Sequence, residues 1–87
     1  MKVTMPYLTM NIGKDTCIPK SSITGILNYE SRNTRKVVME YKEKGKKIVD
    51  VTGSKSTESV ILTDGDIIYK SPLSPRAVSK RYSSNSY

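Results

Sequence analysis

Short runs of β-favouring residues dominate this chain, and in some of them apolar and polar residues alternate. Alternation with a period of two is typical of β-strands that bury one face. The pattern predicts six strands: Tyr7–Ile12, Thr16–Ile18, Ile23–Tyr29, Lys47–Val51, Ser59–Thr63 and Asp66–Lys70. Pro19 ends or edges the second strand, because proline has no amide hydrogen to donate to the ladder. Gly25, inside the third run, predicts a bulge or a close backbone approach.

The clearest local signal is the dipeptide Asp64-Gly65 between two β-rich runs. An Asp-Gly pair flanked by apolar residues predicts a β-hairpin with a two-residue loop. In that geometry Asp64 and Asp66 are turn residues rather than a metal-binding or catalytic pair.

Helical spacing follows the third strand, where Val37, Val38 and Tyr41 form one apolar stripe. Gly45 is expected to end this helix in the left-handed conformation that helix C-termini favour. Three residues are plausible N-caps, namely Ser31, Asn33 and Thr34.

A second, shorter helix is predicted at Arg76–Tyr82, with Ser74 as its N-cap and Pro75 at the first helical position. The order β-β-β-α-β-β-β-α predicts one small α+β domain with a largely antiparallel sheet, one central helix and a short C-terminal helix. We expect an extension over residues 1–4, the folded domain over residues 5–82 and a flexible polar tail over residues 83–87.

The chain has 87 residues, which make one domain with a core that is marginal on its own. Its apolar fraction is 36%, or about 42% with the five glycines, a little below the roughly 45–50% of a typical globular protein. This modestly favours an oligomer that shares part of its core between subunits. No apolar run approaches the roughly 18 residues of a membrane span, and no signal peptide is visible. A single cysteine, Cys17, fits a reducing cytoplasm.

Positive charge is concentrated between Arg32 and Lys55. This stretch holds eight basic and three acidic residues, and so carries five of the seven net positive charges. A concentrated basic surface suggests a polyanionic partner, most commonly nucleic acid, and a solvated surface is the competing interpretation. Arg35 and Lys36 are candidates for a function, with solvated surface as the alternative, because the helix dipole disfavours cations in the first turn unless a bound phosphate offsets that cost.

Residue types that catalysis or metal binding would need are missing. The chain has no histidine, which excludes a Ser-His-Asp triad and a histidine-based metal site, and one cysteine cannot build a structural zinc site. Ser54, Lys55 and Ser56 are neighbours, but a polar loop gives a Ser–Lys mechanism neither burial nor orientation. We therefore expect a protein that is not an enzyme and uses no metal, cofactor or small-molecule substrate.

Several segments together resemble a known bacterial family. They are Asn11-Ile12-Gly13, Ile23–Ser31, the helix ending at Gly45, the Thr52-Gly53 loop and Ile68–Ser74. In order and spacing they resemble the small extracellular matrix regulators RemA and RemB, over roughly residues 5–82. The segments Leu27–Ser31 and Tyr69–Ser74 are closer to the RemB branch.

The resemblance implies a cytoplasmic, DNA-binding transcriptional regulator of extracellular matrix and biofilm genes. It also implies a LytTR-like fold and a homo-oligomer, of which a ring is one form. The RemA branch carries two consecutive arginines after its loop glycine, where this chain has Ser54 and Lys55. It carries a third arginine at the position of Ser22, and Lys20 lies two residues before that position here. Lysine lacks the bidentate fork of arginine, so these replacements weaken the expectation of tight DNA binding.

The cations expected to contact double-stranded DNA are Lys55, Lys20, Lys47, Lys46, Arg35 and Lys36. Two other functions stay open. One is a protein-interaction module of the same fold that acts through a related regulator and has little DNA affinity of its own. The other is single-stranded RNA binding, with Tyr7, Tyr29, Tyr41 and Tyr69 as stacking faces, although tyrosines in strands are more often packing residues.

Overall fold

The computed structural model describes residues 9–83, which form six strands and two α-helices. These are β1 (Thr9–Gly13), β2 (Thr16–Pro19), β3 (Ile23–Asn28), α1 (Arg32–Glu43), β4 (Lys47–Asp50), β5 (Ser59–Thr63), β6 (Ile67–Ser71) and α2 (Pro75–Ser83). The predicted order of elements is confirmed over this range. Tyr7 and Leu8, predicted to begin the first strand, lie outside the described residues.

The strands form two sheets. β1 and β2 make an antiparallel hairpin, and the other four strands form a sheet in the order β3-β5-β6-β4. The β3–β5 and β5–β6 pairs are antiparallel, whereas β4 and β6 are parallel. The α+β class with a mostly antiparallel sheet is therefore confirmed, and the parallel pair at one edge follows because α1 carries the chain from one edge strand, β3, to the other, β4.

One face of the four-stranded sheet packs on the β1–β2 hairpin and α2. Ile61 lies between Ile26 and Tyr69 on this face, and Val49 continues the row on β4. The buried core here consists of Met10, Ile12, Ile18, Val51, Ile61 and Val78. The buried Ser71 hydroxyl ties the hairpin to the sheet, since it donates to the Ile12 carbonyl at 2.6 Å.

The opposite face carries Val60 and Ile68, which are both fully buried. Side chains alternate between the faces of a strand, so these residues point away from Ile61 and Tyr69. Helix α1 contacts β4 beside them. Its stripe residues Val37, Val38 and Tyr41 are only half-buried, so α1 packs less tightly than the hairpin does.

The helix ends follow local sequence chemistry. Gly45 has φ +76°, its amide donates to the Lys42 carbonyl, and the Lys46 amide donates to the Tyr41 carbonyl. This is the Schellman arrangement that Gly45 predicted. Ser74 Oγ accepts the Ala77 amide at 3.1 Å, which confirms the N-cap of α2. Ser31 is the N-cap of α1 by backbone conformation, without a capping hydrogen bond from its side chain.

The β5–β6 hairpin differs from the prediction in its loop. Strand pairing places Leu62 opposite Ile68, so the loop holds three residues, 64–66, and the two-residue loop is wrong. Asp66, not Gly65, adopts the left-handed conformation (φ 60°), as in three-residue loops that end in a bulge. Thr63 Oγ1 donates to the Ile67 carbonyl at 2.6 Å and closes the loop. Asp64 and Asp66 are turn residues, as expected.

Gly25 also behaves as predicted. The register between β3 and β5 shifts between Ile23 and Gly25, which is the signature of a bulge. A Cβ atom at Gly25 would lie 3.2 Å from the Leu62 side chain, so the backbone approaches a neighbouring side chain closely at this position.

The strand register shows which residues lie at each end of the four-stranded sheet. At the loop end lie Asn28, Asp50, Ser59 and Ser71, and at the hairpin end lie Ile23, Lys47, Thr63 and Ile67. Helix α1 begins just after the loop end of β3 and ends just before the hairpin end of β4.

Candidate nucleic-acid interface

The structure divides the six predicted DNA-contacting cations between the ends of the sheet. Lys55 lies in the loop that follows β4, at the loop end. Lys20, Lys46 and Lys47 lie at the hairpin end, one strand length away, on the order of 10–15 Å. Arg35 and Lys36 lie in the N-terminal half of α1. The six residues therefore do not form one compact patch.

Lys55 shares an open cleft with a cation that the sequence analysis missed, Lys14. The cleft has a volume of about 610 Å³ and is lined by Lys14, Thr52, Gly53, Ser54, Lys55 and Pro72. Both lysines are exposed, and they come from loops about forty residues apart in sequence. Two cations on one open cleft can bind one phosphate or two adjacent phosphates of a polyanion.

Gly13 allows Lys14 to reach this position. It has φ +141°, and a Cβ atom there would lie 2.6 Å from the Val51 carbonyl oxygen and 2.7 Å from Pro72 Cδ. Only glycine lets the β1–β2 turn lie this close to the strands of the main sheet. Lys14 follows directly and has a positive φ itself (31°), so the turn sets the direction in which the lysine leaves the hairpin.

Asp50 organises the loop that carries Lys55. Its carboxylate accepts hydrogen bonds from the amide of Thr52, at 2.9 Å, and from the Thr52 hydroxyl. The Thr52 carbonyl in turn accepts the Lys55 amide at 3.1 Å, and Gly53 between them takes a left-handed conformation (φ +66°). The loop is thus a tight turn that holds Lys55 beside the cleft.

The hydrogen bonds also change the titration of Asp50. The side-chain bond from Thr52 and then its backbone bond hold the pKa of the Asp50 carboxyl below its ordinary value. Burial raises the pKa of this carboxyl, and the charges of Lys70 and then Lys14 lower it by smaller amounts. Asp50 is therefore ionised at neutral pH, and because Lys70 and Lys14 both act on this one carboxylate, the loop end of the sheet stays positive.

At the hairpin end, the Lys46 side chain already interacts with other residues of the chain. Lys46 Nζ lies 2.9 Å from the Asp66 carboxylate and 5.8 Å from the centre of the Tyr41 ring. Lys47 is exposed on β4, and Lys20 is half-buried in the short turn after β2. Lys46 therefore has a structural role that pins the hairpin loop to the end of α1.

Arg35 also has a structural role. Its Nη2 donates to the Glu30 carbonyl at 3.1 Å and so braces the turn before α1. Arg35 and Lys36 line a shallow groove on α1 together with Arg32 and Met39. Because α1 begins at Arg32, Lys36 lies in the second turn, where the helix dipole has little effect on a cation, and the prediction that it lies in the first turn is wrong.

The tyrosines considered for RNA stacking are not a common platform. Tyr69 packs against the core, and Tyr29 and Tyr41 are half-buried beside Lys70 and Lys46. Tyr7 lies outside the described residues. The neighbours Ser54, Lys55 and Ser56 are all exposed, an environment that does not activate a nucleophile.

The described residues also offer neither a metal-binding cluster nor a membrane-spanning helix. Within residues 9–83, no three His, Cys, Asp or Glu side chains come together in a way that could hold a metal ion. In the same range, neither helix is long and apolar enough to cross a membrane.

Comparison with known proteins decides the family. The model of the RemA-like family, described as extracellular matrix regulatory protein A-like, matches residues 9–82, from β1 to α2. This chain belongs to the RemA-like family. A Thermoanaerobacter protein (strain X514) is 33% identical over 93% of this chain and 83% of its own length. A Thermotoga maritima protein is 31% identical over 93% of this chain and 87% of its own length.

A third relative comes from Geobacillus thermodenitrificans. It is 32% identical over 83% of this chain and 82% of its own length. All three relatives are provisionally named regulatory proteins. The matched region includes the hairpin that supplies Lys14, the loop that supplies Lys55 and the whole of α1, so every surface described above lies within the family domain.

Proposed function

We propose that this RemA-like protein is a homo-oligomeric regulator that binds double-stranded DNA through the phosphate backbone, with Lys14 and Lys55 as the main contacts. The supporting observation is the meeting of these two exposed lysines on one open cleft. Each belongs to a loop whose backbone geometry is fixed, Lys14 by Gly13 and Lys55 by Asp50. Because the loop backbones are already ordered, only the side-chain freedom of the two lysines is lost when a phosphate binds, which favours the complex.

Lysine contacts of this kind give affinity rather than sequence recognition. A lysine binds phosphate as a point charge, and each neutralised phosphate releases counterions to the solvent. We therefore expect strongly salt-dependent binding with modest preference among sequences. Lys20 and Lys47, at the other end of the sheet, are proposed as outlying contacts. Lys46, Arg35 and Lys36 are proposed to contribute less to the duplex, because the first two already have partners within the chain and the third lines a separate groove on α1.

Oligomerisation makes such weak sites effective. Several identical clefts on one assembly bind a duplex by avidity, which raises affinity without new contacts in any one cleft. Strands β3 and β4 are the edges of the main sheet and pair with no further strand among residues 9–83, so they offer surfaces for a second copy. A ring, the control of matrix and biofilm genes, a cytoplasmic location and a place near the RemB branch are parts of this proposal that rest on the resemblance described above.

Charge reversal tests the cleft directly. Lys14→Glu and Lys55→Glu should each weaken duplex binding about tenfold or more at low salt, because each removes a phosphate contact and adds a repulsive charge. Each should also lower the slope of log affinity against log salt by about 1. The measurement is fluorescence anisotropy with a labelled duplex.

Lys44→Glu is the matched control, since Lys44 is exposed at the hairpin end of α1 and makes the same change in net charge. It should alter affinity far less than either cleft variant does. Equal losses for all three variants, each shown to be folded by circular dichroism, would mean that only net charge matters and that the cleft is not the contact.

A second candidate function is supported by Ser54 and Lys55, which stand where the RemA branch has its arginine pair. With fewer strong phosphate contacts, the fold could act as an interaction module that works through a related regulator. A pull-down with a RemA-type protein tests this function, and a duplex affinity that does not depend on Lys14 or Lys55 would favour it.

A further inference from the structure

The outward face of α1 exposes a large apolar side chain among cations. Met39 is 63% exposed and is one of two large apolar residues that are exposed among residues 9–83. Four basic residues of the same helix surround it, namely Arg32, Arg35, Lys36 and Lys42. Exposure of Met39 contributes nothing to folding, so its surroundings decide whether it has another use.

Two adjoining depressions meet at Met39 and Arg35. One has a volume of about 300 Å³ and is lined by Arg32, Arg35, Lys36 and Met39. The other has a volume of about 250 Å³ and is lined by Tyr29, Arg35, Val38, Met39 and Lys42. Together they form the α1 groove, which has an apolar floor and basic sides.

Structural roles do not account for all of these cations. Lys42 lies in the last turn of α1, where the dipole favours it, and Arg35 binds the Glu30 carbonyl. Arg32 and Lys36 lie near the positive end of the dipole. Within residues 9–83 the single salt bridge joins Lys46 to Asp66, so neither of these two cations is ion-paired there. Both are available to an external anion.

We propose that the α1 groove binds an acidic amphipathic segment of a partner protein. Apolar side chains of the segment would pack on Met39, Val38 and Tyr29, while its carboxylates would pair with the surrounding cations. Methionine suits such a surface, because its flexible side chain adapts to differently shaped apolar partners. An apolar stripe within a charged border is a common mode of peptide recognition.

Two other occupants fit the groove less well. A DNA backbone matches the cations but offers no apolar group to Val38 and Met39. A second copy of this chain would have to bring its own acids, and the chain carries a net charge of +7. Its exposed acidic loop at 64–66 contains no apolar side chain, and Asp66 already binds Lys46.

The α1 groove is separate from the DNA-binding cleft. No residue lines both, so the inference does not rest on the proposed DNA binding, and either can fail without the other. If both are right, a partner and a duplex can occupy the same subunit, which is the arrangement a regulator needs to recruit another protein to DNA.

The test uses the full chain and a labelled 15-residue peptide with leucines at i, i+3, i+4 and i+7 and acidic residues elsewhere. A scrambled peptide of the same composition serves as the control. The variant is Met39→Lys, which removes the apolar floor and adds a positive charge. If the apolar contact matters, affinity for the patterned peptide falls about tenfold or more. If attraction is purely electrostatic, affinity rises.

Ser79→Lys supplies the matched variant, since it adds the same charge at an exposed position on α2. We expect it to bind the patterned peptide at least as tightly as the native chain does, and we expect Met39→Lys to leave duplex affinity unchanged or slightly raised. Arg32→Glu combined with Lys36→Glu should also abolish the preference for the patterned peptide.

Five outcomes would overturn the inference. The first is that the native chain binds neither peptide at concentrations up to about 1 mM, the weak end of specific association. The second is that it binds both peptides equally, and the third is that Met39→Lys binds the patterned peptide as well as the native chain does. Loss of duplex binding by Met39→Lys would assign the groove to nucleic acid, and loss of homo-oligomers would assign it to contact between copies.

Discussion

At the scale of single residues, Asp50 shows how a small loop is given a defined shape. The Asp50 carboxylate accepts hydrogen bonds from the backbone amide and the hydroxyl of Thr52, and the Lys55 amide donates to the Thr52 carbonyl. Lys55 is the residue that this arrangement positions. The charge of Asp50 opposes the bound anion, so its presence beside the cleft is explained by the geometry of the loop and not by electrostatics.

The lowered pKa of Asp50 predicts a pH dependence. The folded chain holds the carboxyl below its ordinary value of 3.8, so the unfolded chain binds the proton more readily. The stabilisation is complete above that value and is lost as the pH falls through the lower, folded pKa. Titration of the carboxyl carbon by NMR should give a midpoint below 3.8, whereas a midpoint at or above it would contradict the hydrogen-bonded loop.

Asp50→Asn provides the control for stability. Asparagine keeps an oxygen that can accept from Thr52 but has no charge to titrate. The difference in free energy of unfolding between the native chain and Asp50→Asn should therefore shrink as the pH falls below 3.8. A difference that is independent of pH would mean that ionised Asp50 contributes nothing to the fold.

At the scale of elements, the β1–β2 hairpin owes its position to contacts made near its turn. The Ser71 hydroxyl holds the Ile12 carbonyl, Arg81 Nη1 donates to the Asn11 carbonyl at 3.0 Å, and Gly13 allows the turn to lie against Val51. The hairpin covers one face of the core and also carries Lys14.

Gly13→Ala should displace this hairpin. The new methyl group would meet the Val51 carbonyl oxygen and Pro72, and alanine is strained at φ +141°. We expect a loss of about 1–3 kcal/mol in the free energy of unfolding, measured by chemical denaturation, together with weaker duplex binding because Lys14 moves.

Gly65→Ala is the matched control. A Cβ atom at Gly65 has no atom within 4 Å, and its φ lies outside the left-handed range. This substitution should change the free energy of unfolding by no more than about 0.5 kcal/mol. Similar effects of both alanines would show that the close approach at Gly13 is not what holds the hairpin in place.

Local chemistry explains which elements could be predicted from the sequence. The ends of the helices follow from Gly45, Ser74 and Pro75, because caps depend on neighbours within one turn. The Asp64-Gly65 hairpin was also predicted, but its loop length was not. That length follows from the register of Leu62 with Ile68, which is set by packing of the whole strands.

At the scale of the whole molecule, the features that could not be predicted are those that join distant segments. The parallel pairing of β4 with β6 depends on where α1 returns the chain. The meeting of Lys14 with Lys55 depends on how the hairpin docks onto the main sheet. The sequence around a lysine in a turn does not indicate which distant residue it will lie beside. Lys14 could therefore not be predicted as part of the proposed site.

On the scale of the whole molecule, exposed positive charge lies on two separate surfaces. The loop end of the sheet presents Lys14 and Lys55 on an open cleft, whereas α1 presents its cations around apolar Met39. A uniform basic surface would bind any polyanion by steering alone. Of the two, only the α1 surface exposes a large apolar side chain, Met39, and for this reason we propose DNA for the cleft and a protein partner for α1.

The most direct test of the proposed DNA binding is the salt dependence of the native chain. Fluorescence anisotropy with an AT-rich duplex, run at about 50 and about 200 mM salt, measures how many phosphates are neutralised. We predict measurable binding at the lower salt and a fall in affinity on the order of a hundredfold or more at the higher salt, as expected for an assembly that uses several clefts. No binding at the lower salt, or an affinity that does not change with salt, would contradict the account.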